Sequence, residues 1–277
     1  MGFGGEDGLF GTFPYQAVFA GYGRDVLCGG KLLPGSKRFL EAIGEQGADY
    51  LFMTNDSSLN RYEYAAKLGA MGLETPHTKV LTSGYATCAY LKRRQPDAKV
   101  YLVGTPALQD EFIRERIDVV NTMPDYIVLG FDTTLTYRKL SSLCQYVRSG
   151  VEFIATHPDL NHASKEGYLP DIGGVLAFVK ATTNRDPDII IGKPYRYMLD
   201  IVLENTGLLP EEIAVVGDRL YTDVAFGRSC GIPSILVLSG ETSIDDLSRC
   251  PVKPDYTFAD LGELAERLSR VYARHRR

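Results

Sequence analysis

The chain lacks the features that would commit it to a membrane, to nucleic acid or to an oxidising compartment. None of its apolar runs approaches the ~20 residues that a membrane-spanning helix needs. The opening MGFGGEDGLFGTFPYQ has neither a basic n-region nor an apolar h-region, which argues against a secretory leader. A net charge of −5 argues against the basic face of a general nucleic-acid binder. The one basic cluster, RVYARHRR at 270–277, reads as a solvated helix end. The five cysteines (Cys28, Cys88, Cys144, Cys230, Cys250) are odd in number and scattered without a C-x-x-C pair, so their spacing supports neither a zinc site nor a disulfide framework. There is no internal repeat and no low-complexity tract. These absences predict a soluble, cytoplasmic protein whose partners are neither membranes nor nucleic acids.

What is present is a recurring pattern: an apolar run, a glycine or polar turn, then an amphipathic stretch. The runs are AVFA (17–20), DYLFMT (49–54), KVYLVG (99–104), DYIVLGF (125–131), EFIAT (152–156), DIIIG (188–192), EIAVVGD (212–218) and SILVLSG (234–240). Short continuous runs of this kind suit strands buried on both faces, as parallel sheets require. Between them lie helical patterns such as SKRFLEAIGEQG (36–47) and YMLDIVLENTG (197–207), the latter closed by a C-cap glycine. Strand–helix alternation along 277 residues predicts an α/β protein with a doubly wound, Rossmann-like parallel sheet and room for a second domain.

Four segments at strand ends carry chemistry. QAVFAGYGRDVLCGGKLLPGS (16–36) empties a strand into a glycine-rich loop. LFMTNDSS places Thr54 and Asn55 at a strand terminus, and IIIGKPYRY places Lys193 one residue past one. VVGDRLYTDV ends a strand in Gly217-Asp218, with Asp223 five residues on. Singly, each has a structural explanation: Thr54 and Asn55 as helix caps, Lys193 as a surface lysine, Asp218 and Asp223 as first-turn acids favoured by a helix dipole. Together, a hydroxyl, an ammonium and two carboxylates at the C-terminal strand ends of one sheet are predicted to converge on one crevice. Such a set suits a phosphate monoester, with the acids holding a hard, oxygen-seeking Mg²⁺.

TN (54–55), GKP (192–194) and GDRLYTD (217–223), in that order, resemble motifs two to four of the haloacid dehalogenase superfamily. The large insert points to the NagD or p-nitrophenylphosphatase-like subclass, with its cap domain between motifs two and three. GGKLLPGS, TSGYAT, VLGFDTTLTYRKL, FIATHPD and GETSIDDL match as well. The resemblance implies a core from residues 1–82 and 187–277, an inserted α/β cap over 83–186, and a homodimer formed through the cap. It implies that Thr54 binds the transferring phosphoryl group, that Lys193 orients and neutralises it, that Asp218 ligates Mg²⁺ directly and that Asp223 supports the metal. The stretch ATHPDLNHASKEGYLPD (155–171) becomes the loop that reaches over a small phosphorylated metabolite, with Asn55, His157 and Asp159 as substrate contacts. A histidine at a strand end, as His157 is, is at least as often a satisfied turn residue; His162, in a polar loop, reads as solvated, and Tyr168 as lining the cap mouth or packing beneath it.

The first motif departs from the family. Its pattern is D-x-D-G-[TV], and counting back from Pro34 puts the nucleophilic carboxylate at position 21 and the acid/base carboxylate at position 23. Here stand Gly21 and Gly23, followed by Arg24 and Asp25. A shifted alignment with Asp25 as nucleophile shortens the link to Pro34 by four residues and still leaves no second acid two positions on. Cys28 lies well past the turn with nothing nearby to activate it. A dinucleotide fingerprint fails because its third glycine would fall at Val26. Glycine supplies neither nucleophile nor proton, so the expectation is a phosphatase scaffold that is catalytically impaired, or a pseudophosphatase that binds phosphate ligands without turnover. Mg²⁺ is expected to bind more weakly, with the Gly23 carbonyl as a remaining ligand. A pocket relieved of two acids is also expected to hold phosphate without metal.

Overall fold

The computed structural model describes residues 15–21, 27, 28, 31–164 and 167–275. The chain forms two compact units, one from the chain up to Met53 and from Val202 onward, the other from Thr54–Ile201. The second contains the whole 83–186 segment.

In the first unit the strands lie in the order Tyr256–Phe258, Ser234–Val237, Ile213–Gly217, Ala17–Gly21, Asp49–Thr54, and every neighbouring pair is parallel. Ala17–Gly21 and Ile213–Gly217 are buried at every position. That matches their continuous apolar sequence, because a strand covered on both faces has no alternation to show. In the register, Ala20 pairs with Val216 on one side and Phe52 on the other, so Gly21 and Gly217 end adjacent strands at the same edge. The helix Ser36–Glu45 buries Phe39, Leu40, Ala42 and Ile43 at helical spacing, and Gly47 follows at φ 75°, where a left-handed residue stops the helix.

The second unit has its own parallel sheet, in the order Ile189–Ile190, Glu152–Ala155, Tyr126–Leu129, Lys99–Val103, Asp118–Val119. Its core includes Val103, Ile127, Leu129, Leu143, Val147 and Phe153 beneath the helices Tyr137–Arg148 and Ile172–Thr183. An antiparallel hairpin, Asn161–Ser164 with Gly167–Pro170, interrupts the 155–171 stretch. Arg61 and Glu111 form a buried ion pair, with Nε 3.0 Å from Oε1 and the Arg61 N–H 2.8 Å from Oε2. Among the described residues, no helix is long and apolar enough to cross a membrane.

Candidate functional site

In the first unit, the buried strand Ile213–Gly217 delivers Asp218, and a single wide turn, Leu220–Val224, returns Asp223. Both carboxylates are buried. Asp218 Oδ2 accepts the Glu241 N–H at 2.7 Å, and Asp223 Oδ2 accepts the Arg219 N–H at 3.3 Å. Arg219 lies 2.8 Å from Glu241, which also accepts from the Tyr221 hydroxyl. Asp218, Asp223 and Glu241 therefore set three carboxylates against the one guanidinium of Arg219. Burial, reinforced by the charge on Asp223, pushes the Asp218 carboxyl up to about 6. Oxygen-only donors, buried and in excess negative charge, are the donor set of a hard divalent cation, so the residues present fit Mg²⁺.

Two glycines make room for these acids. A Cβ on Gly240 would stand 2.1 Å from Asp218 Oδ2, and one on Gly217 would stand 2.3 Å from Asp223 Cγ. Gly240→Ala is accordingly expected to displace the Asp218 carboxylate and weaken Mg²⁺ binding by about tenfold to a hundredfold, as read by calorimetric titration. Gly21 ends the strand beside Ile213–Gly217, so the position that would carry the nucleophile closes the strand next to the one bearing Asp218. Gly23, Arg24 and Asp25 lie outside the described residues.

In the second unit, Thr54 is buried and its Oγ1 accepts the Asp56 N–H at 3.1 Å. The next residue does something its sequence position does not announce. Asn55 Oδ1 accepts the Lys193 N–H at 2.8 Å, while Asn55 Nδ2 donates to the Lys193 carbonyl at 2.9 Å and to Asp159 Oδ1 at 3.0 Å. The amide thus grips the Lys193 backbone from both sides. Gly192 leaves space for it, since a Cβ there would lie 2.6 Å from Asn55 Oδ1. Ser83 donates to the Asn55 carbonyl from the start of the helix Ser83–Arg94.

The structural alternatives hold only in part. The helix Arg61–Ala70 is capped by Asn60, not by Thr54 or Asn55, and Lys193 is buried rather than on the surface. Asp218 caps no helix, whereas Asp223 is an acid of the first turn in Leu220–Val224, as a dipole-favoured carboxylate would be. His157 and Asp159 are likewise buried, and a residue not singled out by its sequence, Asp171, joins them. Asp171 caps the helix Ile172–Thr183, and burial pushes its carboxyl up against the opposing pull of His157. His162, half-buried, stands 3.9 Å from Asp56, and Tyr168 is exposed on the hairpin.

Two family models match the chain: a haloacid dehalogenase-like hydrolase model over residues 25–116 and an HAD-hydrolase-like model over residues 190–264. The acid sugar phosphatase of Staphylococcus saprophyticus is 31% identical over 257 residues, which cover 92% of this chain and 99% of that protein. The crystal structure of 4-nitrophenylphosphatase from Thermotoga maritima superposes with a TM-score of 0.90 at 42% identity, over 94% of this chain and 98% of that one. The glycerol phosphate phosphatase of Mycobacterium tuberculosis in complex with magnesium gives a TM-score of 0.83 at 28% identity, over 91% of this chain and 77% of that one.

Proposed function

The chain belongs to the haloacid dehalogenase-like hydrolases, in the NagD and p-nitrophenylphosphatase branch, and on that premise we propose that it is an Mg²⁺-dependent phosphatase scaffold for small phosphate monoesters, catalytically impaired by Gly21 and Gly23. The observation that carries this is the buried Asp218 and Asp223 pair at the end of one strand, with a glycine closing the strand beside it. In this reading Asp218 and Asp223 hold the cation. The Thr54 hydroxyl and the Lys193 ammonium receive phosphate oxygens, and Asn55 sets where Lys193 stands. Bound Mg²⁺ supplies positive charge against the phosphate. Position 21 offers no carboxylate to attack phosphorus, and position 23 none to protonate the leaving group, so the chain binds its ligand and stops short of turnover.

Calorimetric titration of orthophosphate into the Mg²⁺-loaded protein tests this. Saturable binding that falls at least about tenfold in Lys193→Met is expected, since a charge-assisted contact is lost. Absence of phosphate binding with and without metal would overturn it.

The raised Asp218 adds a pH-dependent signature. Its carboxyl titrates near 6 in the folded, metal-free protein, against an ordinary value of 3.8. The folded state therefore holds a proton that the unfolded chain releases, so this contribution to stability is full below 3.8 and is lost as pH rises through 6. Mg²⁺ competes with that proton. The rise in melting temperature on replacing chelator with Mg²⁺ is expected to be larger at pH 7.5 than at pH 5, with the difference abolished in Asp218→Asn.

A further inference from the structure

We propose that His157, Asp159 and Asp171 form a second metal site, one that takes a divalent transition-metal ion of the zinc type. One potential ligand atom from each residue lies within 4.8 Å of the others, and all three residues are buried. His157 Nε2 is the pointer. It is buried, has no hydrogen-bond partner among the described residues, and stands 3.6 Å from Asp171 Oδ1, just beyond hydrogen-bond reach. The other ring nitrogen, Nδ1, accepts the Asp159 N–H at 3.4 Å and lies 4.0 Å from Asp159 Oδ1. A fully buried imidazole whose Nε2 has no partner is rare in a folded protein.

The spacing suits coordination. Two ligands about 2.1 Å from a tetrahedral zinc lie about 3.4 Å apart, close to the observed Nε2–Oδ1 separation of 3.6 Å. The carboxylates are already oriented as ligating carboxylates usually are, through an outer layer of hydrogen bonds. Asp159 Oδ1 accepts from Asn55 at 3.0 Å, and Asp171 Oδ1 accepts from the Ile172 N–H at 2.6 Å. One imidazole with two carboxylates separates this set from the Asp218 and Asp223 pair, because nitrogen favours zinc-like ions and oxygen alone favours Mg²⁺. Cysteine spacing excluded only thiolate zinc sites, and this cluster uses no cysteine.

The position in the chain says what the ion does. His157 and Asp159 precede the hairpin Asn161–Ser164/Gly167–Pro170, and Asp171 follows it. The Asp171 N–H already closes the hairpin base on the Leu160 carbonyl at 2.9 Å. The ion fastens that base from the side-chain layer, which makes its role structural.

The test is metal content. The full chain, purified without chelator from a zinc-supplemented culture and dialysed against excess Mg²⁺, is expected to retain about one zinc per chain by atomic emission. His157→Gln and Asp171→Asn are each expected to lower this at least about tenfold. Asp171→Asn keeps the helix cap, because asparagine caps as well as aspartate, so it stays informative if the histidine variant misfolds. Growth with Co²⁺ gives a visible absorption band expected to vanish in the same variants. A parent chain without bound zinc, or zinc undiminished in Asp171→Asn, overturns the proposal.

Discussion

The double substitution Gly21→Asp/Gly23→Asp is expected to switch on Mg²⁺-dependent hydrolysis of 4-nitrophenyl phosphate in a chain that otherwise turns it over near the background rate. The gain in kcat/KM is expected to be at least about 10³-fold, since deleting a nucleophile in other enzymes costs several powers of ten. The carboxylate introduced at position 21 would attack phosphorus and take up the phosphoryl group as the phosphorus–oxygen bond to the leaving 4-nitrophenolate breaks. The carboxylic acid at position 23 would give that phenolate its proton. The resulting carboxylate would then take a proton from the water that attacks the aspartyl phosphate, releasing orthophosphate and the free carboxylate at position 21. Members of such a pair act as a unit, so either substitution alone is expected to recover far less than the two together. Position 21 ends a buried strand next to the strand that carries Asp218, which is why the gain should also require Mg²⁺. Steady-state kinetics on the parent and the three variants decide the matter. A parent rate comparable to the double variant would mean that another residue carries the attack, and the role assigned to the glycines would fall.

The second large effect is expected at Asn55. Asn55→Ala removes the amide's hydrogen bonds to the Lys193 N–H, the Lys193 carbonyl and the Asp159 carboxylate, all in a buried setting. An unsatisfied buried group costs about 1–3 kcal/mol, and the neighbours relax only in part, so a loss of about 2–5 kcal/mol is expected in denaturant unfolding. Asn55→Asp is nearly isosteric but should be no milder. It removes both amide donors and sets a carboxylate against Asp159 and the Lys193 carbonyl. In the Gly21→Asp/Gly23→Asp background, Asn55→Ala is expected to lower kcat/KM about a hundredfold, because a misplacement of about 1 Å near the chemistry has that effect. Unfolding and turnover unchanged in both variants would show that the amide's contacts are incidental.

Much of this architecture was legible before any coordinates. All eight apolar runs are strands, because strands of a two-sided parallel sheet announce themselves by continuous hydrophobicity. Gly207, at φ 72°, stops the helix Tyr197–Thr206 as its sequence suggested. Elements without that signal stayed silent. The hairpin around 161–170 is polar and largely exposed, so it shows no alternation, and Tyr256–Phe258 is only three residues long. At the site, the order of the motifs pointed to the acids and the lysine as candidates and to the departure at Gly21. What Asn55 does was out of reach, because its partners lie 104 and 138 residues away. A substrate contact and a backbone grip look the same in the letters TN. The rise of the Asp218 carboxyl needs burial and the nearness of Asp223, which no spacing states. Nor does sequence show that Gly217 and Gly240 are where those carboxylates rest.

The single amide of Asn55 also bears on how such a scaffold diversifies. It joins the root of Lys193 to Asp159, at the foot of the hairpin. Connecting segments tolerate exchange better than the elements they join, and the 155–171 stretch, with its largely exposed hairpin, is such a connection. Here the connection and the lysine are not separate modules. A graft that alters residue 159 would shift the ammonium as well, so changes of ligand range and of phosphate affinity should be inherited together unless Asp159 travels with its scaffold.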